Sequence, residues 1–197
     1  MKKSFVLASL LLVGSTGVMA ANIGETVIGV EFGAMHTSST GTATNLTTNV
    51  SGSATSSDNT TYEALKFGKY FGFGRVGAMF GHGNSKDDVS SNYLGVSYDY
   101  MFYNKGKFTP FVGASLSYAK ATATGDGFTV DETGFNYGGE LGVIYDIANN
   151  IELELGARFL ASNMSGDDTQ TISGNPIKVN IDIDNIQQYY FGVNYKF

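Results

Sequence analysis

Apolar and polar residues alternate along most of the chain, and the alternation is clearest at the C-terminus. Tyr189, Phe191, Val193, Tyr195 and Phe197 share one parity, whereas the other parity is mostly polar. A period of two residues is typical of a β-strand with one apolar and one polar face. The apolar face of such a strand must be covered. A lipid bilayer can cover it if the polar face of the strand turns towards a lumen.

The same alternation predicts eight strands. Their approximate ranges are 25–36, 61–71, 75–83, 92–103, 108–120, 133–147, 151–161 and a last strand ending at Phe197. Residues 37–60 are almost entirely Ser, Thr, Asn, Gly and Ala, so an exposed loop is expected there. Residues 177–183 alternate in phase with the last strand, which is therefore expected to begin above the membrane as part of a projecting hairpin.

The connections between these strands alternate in length. Short ones lie near 72–74, 104–107 and 148–150, and longer ones near 37–60, 84–91, 121–132 and 162–183. Bacterial outer-membrane barrels have short periplasmic turns and longer extracellular loops. The expected fold class is therefore all-β, a transmembrane eight-stranded antiparallel up-and-down β-barrel. Aromatic residues near the short turns predict an interfacial girdle of Tyr70, Phe71, Phe73, Tyr100, Phe102, Tyr103, Phe108, Tyr145, Tyr195 and Phe197.

The polar parity distinguishes this barrel from a soluble one. A lipocalin would place its large apolar groups around one internal cavity, whereas here the bulky parity faces outward and the inward parity is charged. The inward charges are Glu31, Lys66, Arg75, Asp99, Glu140, Asp146, Glu152, Glu154 and Arg158. Because eight strands enclose only enough space for their own side chains, Glu154 and Arg158 are expected to pair with Arg75 or Glu140. An open pore lined by these charges is the alternative.

The first twenty residues predict export from the cytoplasm. Lys2 and Lys3 precede a short apolar run over 5–13, and Val18-Met19-Ala20 offers small residues before a cleavage site. The run is far shorter than the roughly 20 residues of a transmembrane helix. Cleavage is expected between Ala20 and Ala21, leaving a barrel domain over 21–197. Losing two of the 12 basic residues leaves 10 against 18 acids and changes the formal charge from −6 to −8, which argues against nucleic acid as a partner.

Side chains with catalytic potential are few. The chain has no cysteine, which excludes disulfides and thiolate metal sites. His36 and His82 are the only histidines, and both have outward parity near the long connections, where interfacial polar residues are common. Without a nucleophile–base spacing, no catalytic, cofactor or metal residue is assigned. Acids in the connections, such as Asp87, Asp88, Asp126, Asp167 and Asp168, are expected to be solvated rather than to bind metal.

The export signal, the eight strands and the terminal Tyr195-Lys196-Phe197 resemble those of small outer-membrane barrels, of the OmpX-like type and the OmpA transmembrane domain. The resemblance covers the whole chain after residue 20. It implies a place in the bacterial outer membrane, among lipid and lipopolysaccharide. It also implies biogenesis by periplasmic chaperones and the barrel-assembly machinery, with a C-terminal recognition signal carried by Tyr189, Phe191, Val193, Tyr195 and Phe197.

The leading functional hypothesis is a non-enzymatic barrel that supports the envelope and displays its loops for adhesion to a surface receptor or partner cell. A protruding edge near 177–183 would be the pairing site for a partner strand. The alternatives are a small ion or solute channel and an enzyme that modifies lipid or peptide through His36 or His82. No peptidoglycan-binding domain is expected, because the chain ends with strand eight.

Overall fold

The computed structural model describes residues 24–72, 74–84, 89–102, 106–125, 128–172 and 174–197. The expected signal peptide, with Ala20 and Ala21, lies outside these residues. Within them the structure has no helix long and apolar enough to cross a membrane. The strands are β1 (Thr26–Asn45), β2 (Val50–Phe71), β3 (Gly74–Asn84), β4 (Val89–Met101), β5 (Phe108–Gly125), β6 (Phe128–Ala148), β7 (Ile151–Ser162), β8 (Ser165–Ile172) and β9 (Asn175–Lys196).

Eight of these strands form a closed antiparallel ring. The order is β1 to β7 and then β9, and β9 pairs with β1 to close the barrel, with Phe32 opposite Phe191. Closure removes the sheet edges that would otherwise leave backbone groups unpaired in lipid. The expected eight-stranded up-and-down barrel is therefore confirmed. The ninth strand, β8, lies outside the ring and pairs with the first part of β9.

The two faces of the barrel follow the predicted parity. Apolar side chains such as Phe32 (51% exposed), Leu94 (63%) and Leu155 (60%) point outward, whereas the neighbouring Glu31 and Glu154 are completely buried in the lumen. Near the short turns, Phe71, Tyr100, Phe102, Phe108 and Phe197 are exposed as the girdle requires. Tyr70 was wrongly assigned to that girdle, because its parity turns it into the lumen. Phe73 and Tyr103 lie outside the described residues.

The long connections are mostly strand, which corrects the loops expected at 37–60, 121–132 and 162–183. In the first, β1 and β2 continue their pairing up to Asn45 opposite Val50. Cross-strand hydroxyl pairs support this ladder, such as Thr42 with Ser53 at 3.0 Å. Asn45 caps the turn by accepting backbone N–H groups from Thr47 and Thr48. A segment that buries little can therefore still extend a hairpin that the barrel has already aligned.

Beyond the barrel rim these extensions form a four-stranded "projecting sheet". It comprises 37–45 of β1, 50–60 of β2, β8 and 175–184 of β9, with β9 paired to β8 on one side and to β1 on the other. The expected edge at 177–183 is therefore wrong, because those residues lie in the middle of the sheet. Among the described residues, which leave out 85–88, the side of β2 away from β1 has no partner over 50–60 and is an edge, since pairing with β3 begins only at Thr61.

A β-bulge separates the projecting part of β9 from its barrel part. The register with β1 shifts between Ser38, opposite Asn185, and Ser39, opposite Ile183. The extra residue reverses the parity of everything before it. Ile181 and Ile183, in sequence phase with the lipid-facing Tyr189, therefore face the lumen side together with Ile186.

Candidate functional site: a closed ion-pair network below a cavity

All nine charged residues that the sequence places in the lumen are buried there. They lie on six strands. Ion pairs link seven of them into one chain across neighbouring and opposite strands. In order, these are Asp99, Arg75, Glu154, Lys66, Glu31, Arg158 and Glu140.

Glu154 is the most connected carboxylate of this chain. Its Oε1 accepts hydrogen bonds from Lys66 Nζ at 2.7 Å, Arg75 Nη2 at 3.0 Å and Tyr190 Oη at 3.1 Å. Its Oε2 accepts from Arg75 Nη1 at 2.7 Å and from Asn194 Nδ2 at 2.9 Å. Every group facing this carboxylate is a donor, so the ionised form is the one that the site accommodates.

Arg158 links the other side of the lumen. Its guanidinium donates to Glu31 Oε2 at 2.8 Å and to Glu140 Oε2 at 2.7 Å, and more distantly to Gln188. Its charged centre lies 4.2 Å from the centroid of the Tyr190 ring, a cation–π distance. Because these partners occupy its donors, Arg158 is held rigidly across the lumen rather than available to a solute.

The two ends of the chain meet over a glycine. Arg75 donates to Asp99 Oδ2 at 2.9 and 2.8 Å, so that oxygen is paired. Asp99 and Glu140 then lie side by side over Gly113, which is their Cα partner on the intervening strand. Asp99 Oδ1 and Glu140 Oε1 are buried without a hydrogen-bond donor among the described residues. The chain of ion pairs therefore crosses the lumen through Glu154, and its two ends meet at the carboxylates of Asp99 and Glu140.

A second, smaller cluster lies nearer the short turns. Lys196 Nζ is 2.7 Å from Asp146 Oδ1 and 3.2 Å from Glu152 Oε1. Tyr70 donates its hydroxyl to both oxygens of Glu152, at 3.0 and 2.8 Å. This cluster fills the lumen on the short-turn side of the seven ion-paired residues.

Several network members escaped the sequence assignment. Tyr62 donates to Glu31 at 2.7 Å, and Tyr70, Tyr190, Asn194 and Lys196 bind the carboxylates described above. All five have inward parity, which is the signal that identifies them. An inward tyrosine belongs to such a network because its hydroxyl bonds a carboxylate while its ring fills space.

Above the network the lumen widens into a cavity of about 240 Å³. Arg158 lies at its floor, and it extends to Ser39, Asp58 and Ile181 of the projecting sheet. Glu132 lines its upper wall, above the membrane-spanning part of β6. Burial, reinforced by nearby Asp182, raises the pKa of Glu132 to about 7.

The two histidines lie outside the lumen, as their parity predicts. His36 Nδ1 is 2.9 Å from Asn59 Oδ1, and His82 lies between Asn92 and Asn84 at 2.9 and 3.1 Å. Asparagine amides can orient an imidazole, but they provide neither a nucleophile nor a charge partner. Asp167 and Asp168 lie on β8, where Asp167 pairs with Lys178 at 3.1 Å; Asp87, Asp88 and Asp126 lie outside the described residues.

The outward-parity residues of the last strand, from Tyr189 to Phe197, face away from the lumen. Tyr189, Phe191 and Phe197 are exposed on the outer surface, whereas Val193 and Tyr195 are partly covered. The backbone of Phe197 exchanges two hydrogen bonds of 3.0 Å with Thr26, so the last residue completes the seam of the barrel.

Comparison with known proteins is consistent with this architecture. A family model described as "outer membrane protein beta-barrel domain" matches residues 6–197. Among solved structures, OprG from Pseudomonas aeruginosa is 16% identical with a TM-score of 0.64, over 89% of this chain and 97% of that one. Neisserial surface protein A is 20% identical with a TM-score of 0.56, over 84% and 97%. These identities establish the fold alone, and no curated protein matches the chain significantly.

Proposed function

Because the chain belongs to the outer membrane protein beta-barrel domain family, we propose that it is a non-enzymatic barrel that supports the envelope and binds partners through its projecting sheet. The protein resides in the bacterial outer membrane, where lipid covers its apolar outer face. Short turns face the periplasm in such barrels, so the projecting sheet lies at the cell surface. The edge of β2 over 50–60 is the observation that carries the proposal.

This edge has the properties of a strand-addition site. Residues 50–60 pair with β1 on one side only, and their side chains are almost all exposed. Natural sheets protect such edges with lysine, proline, bulges or covering segments, and this stretch contains neither lysine nor proline. An extended peptide of a surface receptor or a partner cell could add to it through backbone hydrogen bonds.

The ion-pair network supports a structural rather than a conducting role for the lumen. Acids and bases on neighbouring strands (Lys66–Glu31 and Arg158–Glu140) and on opposite strands (Lys66–Glu154 and Arg75–Glu154) are joined at 2.7–3.2 Å. We infer that these paired side chains close the lumen to solutes. Removing one partner of a buried pair costs about 3–5 kcal/mol, so such a network rigidifies the barrel. We propose that it is a plug that braces the wall.

We also propose that Tyr189, Phe191, Val193, Tyr195 and Phe197 act as the recognition signal for barrel assembly. Their alternating outward positions on the closing strand support this role. The barrel-assembly machinery and periplasmic chaperones would then be partners during biogenesis only.

A paired set of deletions tests the binding proposal. Excising 39–56 and joining Ser38 to Ser57 by Asn-Gly removes the edge at a position where the two residues are already Cα partners. The control excises 122–131 and joins Ala121 to Glu132, which are likewise partners, by the same Asn-Gly turn. Binding of cells displaying the protein to a receptor-bearing surface should be lost with the first deletion and retained with the second. Equal binding by both variants would contradict the proposal.

Four single substitutions distinguish binding at the free edge of β2 from binding at the face of the sheet. They are Ser53→Pro, Ala54→Pro, Thr55→Pro and Ser56→Pro. Backbone N–H groups alternate in direction along a strand, so every second proline removes a donor from the free edge. Binding should be lost at alternate positions while the barrel remains folded.

A further inference from the structure

The projecting sheet reverses the polarity of the barrel wall. In the barrel, apolar side chains face outward and polar ones inward. Above the β9 bulge, the lumen-side face carries Ile177, Val179, Ile181 and Ile183, and the outer face carries polar residues such as Lys178 and Asn180. This part lies beyond the bilayer, so the apolar stripe of Ile177, Val179, Ile181 and Ile183 does not contact lipid and instead faces the lumen side.

The stripe leads directly into the cavity. Ile181, Ile183 and Ile186 line the cavity on β9, and methionines line it from three other segments. These are Met35 on β1, Met79 on β3 and Met164 between β7 and β8. Methionine side chains adapt to ligands of irregular shape. The cavity volume is about 240 Å³, which is roughly the volume that eight water molecules occupy in the liquid. A methylene group has about the same volume as one water molecule, so the cavity can hold about eight carbons.

Four buried polar atoms of residues in the cavity wall have no hydrogen-bond partner among the described residues: Thr60 Oγ1, Tyr93 Oη, Ser115 Oγ and Asn136 Oδ1. Asn136 is only 3% exposed and its Oδ1 has no hydrogen-bond donor among the described residues. Ser115 Oγ, on the neighbouring strand β5, is likewise buried and unpaired. Both residues line the cavity. Unpaired buried polar groups in a largely apolar cavity are the groups that orient a bound ligand.

The charges around the cavity disfavour an anionic ligand. Asp58 and Glu132 line its upper part, and Asp182 is close to Glu132. Arg158, the one cation among the described residues that line the cavity, already donates to Glu31 and Glu140. An alkyl carboxylate would therefore meet repulsion at the mouth and find no free cation at the floor.

We propose that the upper lumen is a binding site for a small neutral amphiphile with a hydroxyl group and an alkyl chain of about eight carbons. The alkyl chain lies against the methionines and the β9 stripe, and the hydroxyl group donates to Asn136 Oδ1. The ligand reaches the cavity from the cell surface along residues 177–183. The site is separate from the β2 edge, so it stands or falls independently of the adhesion proposal.

Methyl NMR of the protein in phosphatidylcholine nanodiscs tests this site directly. With ¹³C-methyl methionine, Met35, Met79 and Met164 report on the cavity, and buried Met101 near the short turns is an internal control. Titration with 1-octanol should shift the three cavity signals saturably and leave Met101 unchanged. Octanoate at pH 8 should produce at least tenfold weaker shifts. Equal, non-saturating shifts of all four methyls would show partitioning into lipid only and would overturn the proposal.

Three variants assign the binding to the named groups. Ala119→Phe fills the cavity and should abolish saturation; Ala121→Leu fills it less drastically and provides a second test if the first variant misfolds. Asn136→Leu removes the acceptor and should weaken octanol binding about three- to tenfold, the effect of one hydrogen bond. Unchanged octanol binding by either cavity-filling variant, with the Met101 signal intact, would refute the site.

A charge placed on the stripe tests the access path. Ile181→Asp puts a carboxylate on the lumen-side face, whereas the control Thr42→Asp puts one on the outer face of the adjacent strand. Octanol binding should weaken at least tenfold in the first variant and stay within twofold in the second. Equal effects of the two variants would contradict the proposed path.

Discussion

Glu154 and Glu140 both carry a buried carboxylate of the network, yet substitution by glutamine should destabilise the barrel strongly at Glu154 and hardly at all at Glu140. Both oxygens of Glu154 accept hydrogen bonds from donors only, including Lys66 and Arg75. In Glu154→Gln one oxygen becomes an NH₂ group that faces those donors, and Lys66 and Arg75 each lose one of their two counter-charges. Breaking a buried pair from one side costs about 3–5 kcal/mol. The folding equilibrium constant should therefore fall by about a hundredfold to several thousandfold.

Glu140 differs because only one of its oxygens is engaged. Oε2 accepts from Arg158, whereas Oε1 has no donor and lies next to the unpaired Oδ1 of Asp99. In Glu140→Gln the amide oxygen can keep the bond to Arg158 while the NH₂ group donates to Asp99. The free energy of unfolding should then change by no more than about 1 kcal/mol, in either direction.

Urea unfolding of the two variants in lipid vesicles measures this difference. The chain has no tryptophan, so tyrosine fluorescence and far-ultraviolet circular dichroism are the probes. Both variants carry the same change of chemistry, so the wild type and Glu140→Gln together control for the substitution itself. Equal destabilisation of the two variants would refute the reasoning that the donor environment of each oxygen sets the cost.

Three other perturbations have defined outcomes. Gly113→Ala would bring a Cβ to 2.3 Å from Asp99 Oδ1 and 2.6 Å from the Tyr98 carbonyl oxygen, so its urea midpoint should fall clearly below that of Gly139→Ala, where the nearest atom is 3.7 Å away. Burial raises the pKa of Glu132 from 4.5 to about 7, so the folded state loses stability as the pH rises between these two values and stays less stable above them. Glu132→Gln should therefore gain about 1–2 kcal/mol over wild type at pH 8 and nothing at pH 4, and a gain that is independent of pH would contradict this. Phe197→Ser should reduce the amount of folded barrel in the outer membrane several-fold without changing urea stability once refolded in vitro; equal losses in both assays would argue for a structural role of the ring alone.

The barrel could be predicted from sequence because every second residue of a spanning strand contacts lipid and must be apolar. That constraint acts on every residue of a spanning strand, so the pattern repeats eight times and sets both strand number and facing. Glu31 and Phe32 show it in two adjacent positions. The same pattern placed the nine lumen charges inward, but which of them pair depends on stagger between strands, which the parity does not contain.

The projecting sheet was missed because no bilayer acts on it. Residues 37–60 have little to bury, so their composition resembles that of a loop, and the ladder that continues from the barrel decides their structure. The β9 bulge was invisible for a related reason. Ile183 and Tyr189 have the same sequence parity, and only the register shift at 184 turns them to opposite sides of the wall. Tyr70 shows the reverse error, since an aromatic near a short turn resembles an interfacial residue.

The closed lumen is the claim on which the account of this barrel most depends, and planar-bilayer recording of the refolded protein tests it most directly. With Lys66 and Arg75 both paired to Glu154 across the lumen, the wild-type protein should insert without producing discrete conductance steps. Glu154→Gln, which breaks the network, should raise the frequency of transient openings. Stable conductance steps of the wild-type protein that change in size when Glu154 or Arg158 is neutralised would show an open, charge-lined pore and contradict the account.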